Sequence, residues 1–224
     1  MSSTLSYSPE FYAEHAALSL ESARRVVPII LQHFSFSSVI DVGCGAGAWL
    51  KAFKENGLKD VLGIDSDYVP ESSLLINSTE FLRADLTQPI EVGRRFDLAV
   101  SLEVAEHLPA EVAMSFAESL TRLAPLVIFS AAYPGQGGTN HINEQWPGYW
   151  KRLFAELGYN RHDLLRPLIW RDAAVSAWYR TNIFVFSYQS TSIEIDQYNR
   201  IRARIHALNK YARGWAKHRL GRAR

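Results

Sequence analysis

Val39-Ile40-Asp41-Val42-Gly43-Cys44-Gly45-Ala46-Gly47 is the stretch whose reading decides the fold. Four residues of buried-strand character run into three glycines at alternate positions. A helix pattern follows over 49–53 and is closed by Asn56-Gly57. Between a strand and a helix a glycine cluster is informative, because glycine permits a tight turn and lets backbone approach a ligand closely. Working outward, strands are expected at 61–64, near 80–83, at 96–102, 126–130 and 181–187, and helices at 109–123 and 150–157. Upstream, Ser8-Pro9-Glu10 reads as a helix start, and a helical pattern runs on through 18–34 with a break or kink at Pro28. Strands alternating with helices predict an α/β fold, a mostly parallel sheet covered on both faces. In such a sheet ligands sit at the carboxyl ends of the strands, near the point where strand order reverses.

Composition narrows the classes. Hydrophobic residues make up 47% of the 224, enough for a sizeable core. The single cysteine, Cys44, excludes an intramolecular disulfide framework and a cysteine-built metal site. The N-terminal residues lack a positive start followed by an apolar stretch, and the longest apolar runs are too short to span a bilayer. A cytoplasmic protein in a reducing compartment is the expectation; docking on a membrane surface also fits. The formal charge of +1 is unevenly spread. Residues 200–224 hold nine Lys/Arg and no Asp or Glu, so removing those nine from twenty-four leaves fifteen basic against twenty-three acidic residues.

Two further acids mark strand ends. Asp65 follows the second strand, 22 residues after Gly43, and Asp85 follows the third. A carboxylate at the first position can accept hydrogen bonds from both hydroxyls of a ribose. The glycine spacing is G-x-G-x-G, and Asp41 precedes it by two positions. Asp41 would repel a pyrophosphate but favour a cation. S-adenosylmethionine carries an ammonium and a sulfonium and has no phosphate.

This pattern resembles the class I S-adenosylmethionine-dependent methyltransferases, strongly over 39–108 and more loosely to about 187. The resemblance implies a Rossmann-like seven-stranded, mostly parallel sheet with helices on both faces and an N-terminal helical lid, in a methyltransferase domain over 1–190. The charge of 200–224 and the helical spacing of Ile201, Ile205 and Leu208 mark 191–224 as a tail with a basic C-terminal helix. By that likeness Asp41, Gly43, Gly45 and Gly47 cradle the methionine end of the cofactor, Asp65 the ribose, and Asp85 with Leu86 the adenine.

Glu103-Val104-Ala105-Glu106-His107 lies where a methyl acceptor should come. If the turn is helical, Glu103 and His107 share a face. His141 belongs to the loop after the fifth strand, which ends at the same sheet edge. Two carboxylates and two imidazoles form a set suited to a divalent metal. The stretch looks like the Glu-x-x-Glu-His of quinone-biosynthesis O-methyltransferases and small-RNA 2′-O-methyltransferases. That likeness implies Glu103, Glu106, His107 and His141 as ligands of a divalent ion, magnesium or zinc. The fourth, His141, rests on position alone. His107 or His141 acting as general base, and a structural role for the cluster, fit the residues too.

The loop over 133–149 is rich in Gly, Asn, Gln and aromatics, and Trp146 and Tyr149 are candidates for an acceptor-binding wall. Phe11, Tyr12 and His15 suit either a lid, with Tyr12 on the cofactor, or a packing helix. Trp178-Tyr179-Arg180 suit closure of the acceptor pocket, and Trp178 suits the core equally. The expectation is transfer of a methyl group to a hydroxyl on a small molecule or saccharide. Two alternatives stand beside it: 2′-O-methylation of RNA, with residues 200–224 contacting the polyanion, and a non-catalytic cofactor-binding module.

Overall fold

A computed structural model describes residues 9–188, with side chains from 16 onward. The element order is α1 (Pro9–His33), β1 (Ser38–Val42), α2 (Ala48–Glu55), β2 (Asp60–Asp65), β3 (Phe81–Arg83), β4 (Leu98–Leu102), α3 (Ala113–Leu123), β5 (Leu126–Ser130), α4 (Pro147–Glu156), β6 (Tyr159–His162), α5 (Arg166–Ile169), α6 (Ala177–Asn182) and β7 (Phe184–Tyr188). The strands form one seven-stranded sheet in the order β3-β2-β1-β4-β5-β7-β6. β1 to β5 pair in parallel, and β7 lies antiparallel to both β5 and β6.

The three central strands β1, β4 and β5 are buried at every residue. Both of their faces are covered, so they read as unbroken apolar runs rather than alternating ones. Ile40, Val42, Ala99 and Phe129 pack in one cluster with Phe116 of α3 and Phe154 of α4. α1 and α2 pack on each other, and α2 also meets β1 and β2. Val26, Val27 and Ile30 of α1 are wholly buried. Strand order reverses between β1 and β4, so the loops after these two strands diverge and leave a crevice.

Several boundaries differ from the sequence reading. α1 continues through Pro28 without a break. The fourth strand begins at Leu98, because the chain at 96–97 is occupied in caps: Phe96 N–H donates to Leu123 O, and Asp97 accepts from Ser37 and Ser38. The segment expected as a strand over 181–187 is divided between the end of α6 and β7. β6 is the strand that periodicity did not reveal; it is a short edge strand with one buried residue. Ser8 and the whole of 191–224, with its expected basic helix, lie outside the described residues.

Two glycines hold the crevice closed at its base. Gly43 has φ +80°, and a Cβ there would lie 2.3 Å from Val104 Cγ2 in the loop after β4. Gly47 has φ +82°, and its Cβ would meet Ile76. Gly43→Ala is expected to lower stability by about 2 kcal/mol, combining the left-handed backbone with overpacking. Urea denaturation checks this, and adding Val104→Ala should restore part of the loss. An unchanged midpoint for Gly43→Ala would contradict the close approach.

Candidate active site

A cavity of about 690 Å³ opens at the carboxyl ends of β1, β2 and β4, over the reversal in strand order. Its first wall is the loop after β1. Gly43 and Cys44 N–H both donate to Ile64 O, at 2.8 and 3.1 Å, which bends the chain across the end of β2. Gly45 has φ +53°, and a Cβ there would meet nothing within 4 Å. Gly45 is thus the glycine of this loop whose backbone faces open cavity, while Gly43 and Gly47 are backed by side chains; Gly47 does not line the cavity.

Asp41 and Asp65 lie beneath this loop, each 2% exposed. Asp65 accepts hydrogen bonds from Gly45 N–H (2.6 Å) and Ser66 N–H (2.7 Å). Burial pushes its carboxyl above the usual range, and these bonds hold the rise down. Asp41 is less well served. Its Oδ2 is buried with no hydrogen-bond partner. Burial first, and the charge of Asp65 second, push its carboxyl well above the ordinary value. Two acids so placed, with open backbone beside them, suit a cationic occupant. Asp85 is exposed and accepts from Thr87 N–H (2.9 Å) and Oγ1–H (2.7 Å), which holds its carboxyl low. Leu86 beside it is 5% exposed; both line the cavity.

The opposite wall carries the Glu-Glu-His stretch, in a conformation other than the expected helix. Glu103 has φ +58°. Its N–H donates to Ser130 O (3.1 Å) and Oγ (3.2 Å), prolonging the β4–β5 ladder by one residue. The chain then reverses into a 3-10 turn over Ala105–His107. Glu103 and His107 therefore do not share an α-helical face. Glu106, His107 and His141 do come together: one ligand atom from each lies within 4.8 Å of the others. Glu103 stands outside this group. Its Oε2 accepts from Gln136 Nε2–H at 2.6 Å, and Asn182 Nδ2–H donates to Gln136 Oε1 at 2.5 Å.

Glu106 is fully buried, and neither carboxyl oxygen has a hydrogen bond of normal geometry; the main-chain N–H groups of Glu106 and Ala132 and the Glu103 carboxyl are the polar groups that act on it. Desolvation, then the charge of Glu103, push it up to about 9. Its carbonyl accepts from Ile142 N–H (2.9 Å) and Asn143 N–H (3.0 Å), which ties the loop after β5 to the loop after β4. His141 Nδ1 lies 2.9 Å from Glu144 Oε1, and Glu144 also accepts from Gly135 and Gly137 N–H. A carboxylate can only accept, so Nδ1 carries a proton, and in the neutral ring the lone pair is on Nε2. The rings of His107 and His141 meet edge to face at 4.9 Å. His107 is exposed by area, yet the protein around its ring, and His141 beside it, hold its pKa below the ordinary value.

The remaining wall comes from helices. Tyr179 of α6 is 4% exposed, stacks edge-on against Trp49 at 5.1 Å, and shares a hydrogen bond with Ser19 Oγ of α1 at 3.1 Å. Trp178 lines the cavity and Arg180 does not. Trp146 and Tyr149 are also absent from its lining: Trp146 stacks on Tyr133 outside, and Tyr149 packs on Trp150. Ala16 and Ser19 of α1 reach the cavity, while the side chains of Phe11, Tyr12 and His15 lie outside the described residues.

A family model described as a methyltransferase domain matches residues 12–172. The chain belongs to this methyltransferase family. No curated protein matches it by sequence. Among solved structures, a sugar N-methyltransferase from Streptoalloteichus sp ATCC 53650 is similar with a TM-score of 0.65 and 14% identity, over 85% of this chain and 96% of that one. The magnesium protoporphyrin IX methyltransferase of Synechocystis PCC 6803, solved with bound SAH, gives 0.55 and 18% over 77% and 84%. The methyltransferase domain of a bacterial Hen1 gives 0.54 and 19% over 76% and 99%. At these identities the likeness is one of fold.

The buried Glu106 gives the methyltransferase a pH signature. The folded protein keeps on Glu106 a proton that the unfolded chain releases near 4.5, up to about pH 9. Stability of the chelator-treated protein should therefore fall as pH rises between these values. Melting temperatures at constant ionic strength should decline from pH 5.5 to 8.5, and less steeply in Glu106→Gln. An identical slope in the variant would contradict this.

Proposed function

We propose that this methyltransferase transfers the methyl group of S-adenosylmethionine to a hydroxyl on a small molecule or saccharide. The observation that carries the reading is the unpartnered Asp41 oxygen beside the open backbone of Gly45. It fits a ligand bearing an ammonium and a sulfonium and no phosphate. In this reading Asp41 and the Gly45 backbone take the methionine end, Asp65 the ribose hydroxyls, and Asp85 with Leu86 the adenine. SAH in the porphyrin methyltransferase and SAM in a second structure of that enzyme support the choice of cofactor.

The chemistry required of the protein is modest. An oxygen lone pair attacks the methyl carbon in line as the carbon–sulfur bond breaks, and the electron pair leaves with sulfur. The cofactor supplies the leaving group, so the chain must align the acceptor and take its proton. His141 is equipped to take that proton, because Glu144 fixes Nδ1 as the donor and leaves Nε2 free to accept. Glu106, His107 and His141 also fit a divalent ion. Ligands about 2.1 Å from a tetrahedral ion lie about 3.4 Å apart, so atoms that now lie within 4.8 Å of one another would draw in by up to about 1.4 Å on binding it. Two imidazoles with one carboxylate suit zinc better than magnesium. Such an ion would supply acidification of the acceptor hydroxyl.

Residues 200–224 favour a second reading, methylation of RNA held by the basic tail, and its mark is steep salt dependence lost on truncation before Arg200.

Calorimetry and turnover together test the first reading. Asp65→Ala should weaken S-adenosylmethionine binding by about a hundredfold, the loss of a bidentate charged contact. His141→Ala should keep that affinity and lose about a hundredfold in label transferred from methyl-labelled cofactor into a metabolite extract. Unchanged binding in the first variant would remove Asp65 from the ribose. Unchanged turnover in the second would remove His141 from the chemistry.

A further inference from the structure

The charge of the cavity wall restricts what can carry the reacting hydroxyl. Five carboxylates line it, those of Asp41, Asp65, Asp85, Glu103 and Glu106, and no Lys or Arg lines it among the described residues. Four arginines of the domain are engaged with acids elsewhere: Arg24 with Glu55, Arg25 with Asp172, Arg94 with Asp60 and Arg166 with Asp163. Add the net single positive charge of the cofactor and a divalent ion, and the wall is still negative. Burial strengthens that field, because a low-dielectric surrounding screens less than water. A phosphate or carboxylate on the acceptor would be repelled, with no guanidinium among the described lining residues to bind it.

Glu103 adds a direction to this charge. Its carboxylate is aimed by a relay, Asn182 to Gln136 to Glu103, that starts at the 3%-exposed Asn182 at the end of α6. Its backbone is held in the left-handed region by Ser130. Its other oxygen, Oε1, is buried with no hydrogen bond of normal geometry, and the Glu106 carboxyl is its neighbour. A carboxylate accepts only, so once Glu106 gives up its proton such an oxygen is open to a donor on the ligand. Glu103 stands apart from the three residues whose ligand atoms converge, which leaves it for the acceptor rather than for an ion.

We infer that the acceptor is a non-anionic molecule rich in hydrogen-bond donors, a free polyol or an amino sugar, and that Glu103 receives one of its hydroxyl or ammonium groups. Gln136 and Asn182 are positioning residues for that carboxylate. This rests on the cavity being the methyl-transfer site proposed above, and it adds a substrate class and a recognition residue to that reading.

The test uses the full chain, methyl-labelled S-adenosylmethionine, and a small-molecule extract divided by ion exchange into neutral, cationic and anionic pools, with total RNA as a fourth. Label should enter the neutral or cationic pool. Label chiefly in the anionic pool or in RNA would overturn the inference while leaving methyl transfer intact. No label in any pool would refute the transfer reading, and the inference with it. On the labelled fraction, Gln136→Ala should raise KM about tenfold, with kcat within about threefold and cofactor affinity unchanged. Loss of kcat with KM unchanged would refute the relay. Glu103→Gln, which conserves shape, should show the same KM rise and the metal content of the parent protein. A fall in metal content in Glu103→Gln would return Glu103 to the ligands and overturn the assignment.

Discussion

The burial of Asp41 beside Asp65 is the interaction on which the rest of this structure depends. β1 and β2 run parallel with Asp41 level with Gly63, so the two acids reach the same sheet edge two residues apart in register. Two carboxylates removed from water repel each other, and the only described donors on Asp65 are local ones such as Gly45 and Ser66 N–H. A fold retains such a pair where a ligand completes it. The same Gly45 N–H that steadies Asp65 belongs to the residue whose missing Cβ leaves the cavity open. Acid placement and glycine placement are therefore one device, with the charge that suits a cation.

The reversal of strand order gives this device a second half. Loops after β1, β2 and β3 carry the acids assigned to the cofactor, and loops after β4 and β5 carry Glu103, Glu106, His107 and His141. The halves are joined at two places. Val104 packs where a Gly43 side chain would be, and the Glu106 carbonyl captures Ile142 and Asn143 N–H. The proposed cofactor site on one side and the proposed base on the other are thus joined by a continuous scaffold.

What the sequence revealed tracks how local each feature is. β1, β4 and β5 were legible because burial on both faces makes them plain apolar runs. β6 was not, because Tyr-Asn-Arg-His at a sheet edge buries one residue and mimics a loop. Asp41 and Asp65 stood out because each is an acid in the last two residues of an apolar strand. The helical reading of 103–107 failed because Ser130, twenty-seven residues away, draws Glu103 into a left-handed reversal. Gln136 and Asn182 were invisible for the same reason: their roles come from a contact across 46 positions. Glu144 was within reach, an acid three residues from a candidate histidine. The aromatics of the 133–149 loop misled, since Trp146 and Tyr149 find ring partners outside the cavity.

Proton exchange on cofactor binding tests the central claim most directly. Titration calorimetry of S-adenosylmethionine in buffers of different ionisation enthalpy, at neutral pH, reads the protons released per ligand bound. If the Asp41–Asp65 pair holds a proton until a cation arrives, binding releases protons to the buffer, and Asp41→Asn diminishes that release. Binding without net proton release, or with the same release in Asp41→Asn, would contradict the claim that this buried pair is the seat of the cationic ligand.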